Sequence, residues 1–199
     1  MYSELKSLGF KLNKDLSMVR SFGDFRHTIT ISKNKWNYTD TVVRFNLSFG
    51  VNSKTFKKWY IQFYHPENKM FIDDSFGGGN HNTPGWDNDP PGALDYDLLA
   101  SDHDDLAKKL CNNLINVAIP LMERLSDYRE SIHYTIDWFG IYPKKIDMCF
   151  QAGDKQLASE LIERFDAFLP TYKGKRNETY PQEIIDAIEL RRSLLEKME

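Results

Sequence analysis

From Val42 to Val51 the side chains alternate, with Val43, Phe45, Leu47, Phe49 and Val51 on one side and Val42, Arg44, Asn46, Ser48 and Gly50 on the other. Five apolar positions at a period of two fit a half-buried strand; on a helix they would be scattered around the axis. Phe25, His27, Ile29 and Ile31 repeat the pattern against Arg26, Thr28, Thr30 and Ser32. Trp59, Ile61 and Phe63 predict a further strand stopped by His65-Pro66, and Phe10 to Val19 predicts the first one, with Leu12, Leu16 and Met18 facing inward. The polar link Asn34 to Asp40 is short, so its flanking strands are expected to be antiparallel neighbours. Residues 2–9 predict a short helix with Leu5 and Leu8 on one side and Gly9 as its C-terminal cap.

The second half changes period. Leu106, Leu110, Leu114, Val117, Leu121 and Leu125 recur every three or four residues and share one helix face. Ser101 is the expected N-cap, followed by Asp102, Asp104 and Asp105 where the helix dipole favours negative charge. Pro120 predicts a kink or break near Val117. Further helices are expected over Tyr128 to Phe139, from Pro143, after Gly153-Asp154 (Leu157, Leu161, Phe165, Phe168) and after Pro181 (Ile184, Ile185, Ile188, Leu195). Strands first and helices second indicate an α+β fold. The expectation is an antiparallel sheet of about four or five strands with a short N-terminal helix, then four to five helices packed on one sheet face.

At 199 residues the chain is expected to form a single domain. Within it, 1–72 forms the sheet, 73–100 an acidic Gly/Asp-rich loop and 101–199 the helical part. Cys111 and Cys149 both lie on predicted helices and read as buried free thiols. The first residues lack the basic-then-apolar order of a signal peptide, and no run reaches the roughly 20 apolar residues a membrane helix needs, so a cytoplasmic protein without a membrane segment is expected.

Charge is sorted along the chain. Between Phe71 and Ala107 there is no lysine or arginine, while Asp73, Asp74, Asp87, Asp89, Asp95, Asp97, Asp102, Asp104 and Asp105 all fall there. The whole chain is −3; without these nine aspartates it carries 26 basic and 20 acidic residues, or +6. The loop from Ser75 to Gly92 has three consecutive glycines, but no Lys-Ser/Thr follows them, so it is no phosphate cradle. Asp73, Asp74, Asp87, Asn88 and Asp89 offer oxygen ligands to a hard cation without calcium-loop spacing. His81, Asp87 and His103, with Asp89, are the candidates for a metal or hydrolase site, again without a recognised ligand spacing. The basic residues Lys54, Lys57, Lys58, Lys173, Lys175 and Arg176 are scattered, which argues against a nucleic-acid face.

The segments Leu5-Lys-Ser-Leu-Gly-Phe-Lys, Ile29-Thr-Ile-Ser-Lys-Asn-Lys-Trp, Arg44-Phe-Asn-Leu-Ser-Phe-Gly-Val and Ile146-Asp-Met-Cys-Phe-Gln-Ala-Gly-Asp-Lys-Gln-Leu-Ala resemble the bacterial family called domain of unknown function 4304. The resemblance covers most of residues 1–65 and, more loosely, 105–170. It implies a fold and no chemistry, and by analogy a toxin-neutralising immunity role.

These features together point to a non-enzymatic binding protein with no cofactor. Asp73, Asp74, Asp87, Asp89, Asp95 and Asp97 would meet a basic protein partner, with Trp86 either an exposed apolar anchor or a pin that holds the loop to the sheet. Two other readings are a metal-dependent hydrolase using His81 and Asp87, and a scaffold that docks partners on its helical tail, Lys144 to Leu169. Oligomeric state is not legible in the sequence.

Overall fold

A computed structural model describes residues 2–35, 37–38, 41–66, 73–87, 95–134, 142–172 and 181–197. Its elements run α1 (Tyr2–Ser7), β1 (Lys11–Leu12), β2 (Met18–Phe22), β3 (Phe25–Lys33), β4 (Arg44–Ser53), α2 (Lys54–Tyr64), β5 (Ser75–Asn80), β6 (Tyr96–Asp97), α3 (His103–Asn113), α4 (Ile119–Arg124), α5 (Tyr128–Tyr134), α6 (Tyr142–Ala152), α7 (Lys155–Phe168) and α8 (Gln182–Lys197). A π-helical stretch, Leu114–Ala118, joins α3 to α4. The α+β reading holds, with an antiparallel sheet in the first half and helices mostly in the second. The chain divides into two compact units: Met1–Thr55 with Asp73–Ser131, and Phe56–Ile72 with Ile132–Glu199.

The first unit is built on the sheet, ordered β1-β2-β3-β4-β5, with β6 pairing the start of β4. Strand β4 shows the strict alternation of its sequence: Phe45, Leu47, Phe49 and Val51 are buried, and the residues between them are partly open. One row crosses the sheet in register, Leu12↔Met18↔Ile29↔Phe49↔Gly79. Helix α4 packs against β4 and β5, and Leu110, Leu114, Ala118, Met122 and Leu125 fill the core from the helical side. Pro120 has no N–H to give, and the chain meets that gap with the wider π turn just before it rather than with a break.

Several expectations change. Residues 54–64 form a helix, not a strand. Phe56, Trp59, Tyr60 and Phe63 lie at helical spacing, and their rings touch along one side at centroid distances of 4.9 to 6.5 Å. Three alternating residues were too few to outweigh that pattern. Leu12 and Leu16 are half-exposed, since the strand between Phe10 and Val19 is interrupted by a turn at 13–17. Leu8 is likewise exposed, whereas Leu5 is fully buried and Gly9 takes a left-handed φ of 87° after the helix. The segment expected as a loop, 73–100, contains β5 and β6. The N-cap of α3 is Asp102, whose carboxylate accepts from the N–H of Asp104 and Asp105, one residue later than Ser101.

In the second unit α6 is buried on every side, through Tyr142, Lys145, Ile146, Asp147, Met148, Cys149 and Phe150. Gly153 ends it at φ 72°, and the Asp154 carboxylate caps α7 by accepting from the N–H of Leu157. Helices α7 and α8 pack on α6 and on each other. Cys111, in the first unit, and Cys149 are both buried, and neither is in a disulfide. The predicted helix over 128–139 is present to Tyr134, and its remainder, like the basic loop at 173–176, falls outside the described residues.

Candidate functional site

Strand β5 decides where the acidic segment lies. A side chain at Gly78 would come 2.2 Å from the Phe49 carbonyl oxygen, so only glycine lets β5 come this close to β4. A Cβ at Gly79 would meet the Phe49 ring at 2.7 Å. That space lets the Phe49 ring lie over Gly79 and stack on Trp86, with centroids 6.0 Å apart and planes 8° from parallel. Trp86 is 8 % exposed, and its indole N–H donates to the Tyr96 hydroxyl at 2.6 Å. Trp86 is therefore the pin that holds its loop to the sheet and not an exposed anchor. The extra residue of the β5 bulge, Phe76, has its carbonyl satisfied by the buried Ser131 hydroxyl.

The aspartates divide between the two ends of β4. Asp74 accepts from the Asn52 amide at 2.8 Å and, through its carbonyl, from the Ser53 N–H at 2.9 Å; the Asp73 carboxylate turns back to the N–H of Ser75. Asp95 accepts from Asn34 at 2.6 Å, and Asp97 lies 3.6 Å from the Arg44 guanidinium. Arg44 and Asn52 are eight residues apart on one strand, about 26 Å at ~3.3 Å per residue. Asp73 and Asp74 thus belong to a different end of the sheet from Asp95 and Asp97.

Around α3 a second group forms. His103 donates through Nε2 to the Leu98 carbonyl at 2.8 Å, tying the helix start to β6 and bringing Asp102, Asp104 and Asp105 beside Asp97. Asp105 pairs with Lys108 at 3.3 Å. Asp87 pairs with Lys109 at 3.4 Å, and its backbone N–H and carbonyl are both held by the buried Asn113 amide. An open depression of about 440 Å³ beside it is lined by Asp87, Lys109, Asn112, Asn113 and Asn116. Asp89 lies outside the described residues. His81 is buried, and among the described residues no three His, Cys, Asp or Glu side chains converge as metal ligands.

Two buried polar networks were not foreseen. In the first unit the Arg20 Nε donates to His27 Nδ1 at 3.1 Å, while His27 Nε2 meets the Ser126 hydroxyl at 2.7 Å and Arg20 binds Glu123 at 2.6 Å. The pairing resembles a serine–histidine couple, but it runs the wrong way for catalysis. Arg20 can only donate, so Nδ1 is the acceptor and Nε2 carries the proton; the Ser126 hydroxyl then receives that proton and donates its own to the Met122 carbonyl at 2.8 Å. His27 cannot take a proton from Ser126. Burial, with the neighbouring Arg20 charge, pulls His27 down to about 4, against the opposing pull of Glu123.

In the second unit Asp147, 1 % exposed, accepts from both Arg191 Nε and Nη2, at 3.0 and 2.5 Å, and from the Tyr64 hydroxyl at 2.5 Å. Arg191 Nε is shared between Asp147 and the Pro143 carbonyl at 2.8 Å, and Nη1 donates to the Ala187 carbonyl at 2.8 Å. Burial first, and the Asp147 charge second, push the Tyr64 hydroxyl far up, so it stays a donor. The sequence did carry a signal: position 191 falls on the stripe between Ile188 and Leu195, where a charged residue needs a buried partner.

No family model, no curated protein and no solved structure matches the chain. Among the described residues no helix is long and apolar enough to cross a membrane.

Proposed function

We propose that the protein is a non-enzymatic binding module of the bacterial cytoplasm that docks a basic protein partner on the end of the sheet where β6 meets α3. The supporting observation is the surface there. Asp95, Asp97, Asp102, Asp104 and Asp105 are brought to one end of β4, and only Asp97 and Asp105 have a cationic neighbour among the described residues. Leu99, 55 % exposed between Asp97 and Asp102, takes the apolar anchoring place that the buried Trp86 does not. Asp73 and Asp74 drop out of this interface, being at the other end of the strand. An immunity-type, toxin-neutralising role and kinship with the domain-of-unknown-function-4304 family accompany this reading as proposals resting on the residues quoted above. An acidic face suits a nuclease toxin, whose substrate groove is basic and whose capture is fast and salt-sensitive.

The test is stopped-flow association with the product of an adjacent toxin-like gene. Asp97→Asn with Asp104→Asn is expected to slow association roughly tenfold at low ionic strength, with the difference shrinking as salt rises. Leu99→Ala is expected to speed dissociation instead. Association that ignores both the substitutions and the salt would sink the proposal.

A further inference from the structure

Ten large apolar side chains stand exposed among the described residues, and five of them, Tyr2, Leu8, Leu12, Leu16 and Phe22, fall in the first 22 positions. Leu12 is the outermost member of the inner-face row that continues through Met18, Ile29 and Phe49, so the apolar face runs past its cover at the β1 edge. The Tyr2 hydroxyl lies beside it, accepting from the Leu12 N–H at 3.4 Å.

Leu16 is stranger. It is 50 % exposed and holds a φ of 64°, a left-handed conformation that disfavours a leucine by roughly 1–2 kcal/mol. The turn is not loose. Asn13 N–H donates to the Ser17 carbonyl at 2.8 Å, Leu16 N–H to the Asn13 carbonyl at 3.2 Å, and the Ser17 N–H and hydroxyl both donate to the Asp15 carboxylate. A fixed turn thus presents an apolar side chain to solvent at a backbone position where glycine or asparagine would be more stable. Strain of this kind is kept where the side chain has a use.

Charge indicates the use. Lys6, Lys11 and Lys14, interleaved in sequence with Leu8, Leu12 and Leu16, are exposed and form no ion pair among the described residues, while Asp15 is engaged in the turn and Glu4 with the Cys111 thiol. A second copy is a poor occupant, because edge-to-edge pairing would set Lys11 near its own equivalent. An added peptide strand is poor too, because β1 offers only two residues. A flat anionic surface needs neither register nor length. We propose that the β1–β2 hairpin docks reversibly on an anionic lipid surface, with Leu12 and Leu16 entering the headgroup boundary and Lys6, Lys11 and Lys14 meeting lipid phosphates.

The full chain is tested by sedimentation with vesicles of phosphatidylcholine alone and of phosphatidylcholine mixed with phosphatidylserine. Binding is expected to the mixed vesicles only, and to weaken with salt. Leu16→Gly is expected to melt no lower than the parent, because glycine accepts the positive φ, yet to bind about tenfold less. Leu16→Asn should behave alike, and Lys11→Gln and Lys14→Gln should each cost roughly fivefold. Equal binding to both vesicle types, or a Leu16→Gly protein that binds as the parent does, overturns the proposal. So does a parent that binds neither vesicle, an outcome that would point to an acidic protein partner.

Discussion

At the scale of single residues, His27 shows how position overrides residue type. Alternation places it on the inner face of β3, and it is there, fully buried beside Arg20. The partners come from elsewhere: Glu123 and Ser126 are some 100 positions away in sequence and carry no local pattern linking them to His27. The consequence is a pH dependence with a definite sign. The unfolded chain takes up a proton at His27 near 6.5, whereas the folded protein resists until about 4. Stability is therefore full above 6.5 and falls as pH drops toward 4, by about 3 kcal/mol from this group. Urea unfolding followed across that interval should show the slope, and His27→Gln should flatten it while lowering stability at neutral pH. A parent whose midpoint does not move over the same interval would contradict the arrangement.

At the scale of elements, the strands that rest on their own alternation, β3 and β4, were legible, as were the helices with long stripes. What was not legible depended on a neighbour. Helix α2 departs from the expectation because Trp59, Ile61 and Phe63 alternate like a strand until Phe56 and Tyr60 are counted. Strand β5, Ser-Phe-Gly-Gly-Gly-Asn, has no strand propensity; it exists because β4 and α4 leave a slot only a chain without side chains can enter. The candidate site shares this limit. The sequence showed the aspartates as one block, but β4 runs between them and sends Asp73 and Asp74 to the opposite end from Asp97. Gly78→Ala is expected to destabilise by about 3 kcal/mol or more, because its Cβ would meet backbone and not a movable side chain. Gly79→Ala should displace the Phe49 ring and with it Trp86. Near-ultraviolet circular dichroism and thermal melting of the two variants would check this; an unaltered spectrum in Gly79→Ala would show that the stack does not depend on the glycine.

At the scale of the whole molecule, two compact units share one chain, and the second holds a buried ion pair, Arg191 with Asp147, where the first has a pair open to solvent at Glu123. Removing one partner from the second network leaves a charge in apolar surroundings, so Arg191→Ala is expected to cost about 3–5 kcal/mol, while Asp147→Leu with Arg191→Leu should recover much of it. Hydrogen exchange in Arg191→Ala should rise over α6, α7 and α8 well before it rises in β3 and β4; a uniform rise over both units would mean that they open together. The chain order adds a consequence. The first unit is interrupted, since residues 56–72 belong to the second, and the strands that close the free side of β4 come only after that excursion. During synthesis, a ribosome that has delivered the first 72 residues has exposed a ten-residue strand with one naked flank. The nascent chain is then most prone to mispair with another, and a pause at that point should raise its dependence on chaperones.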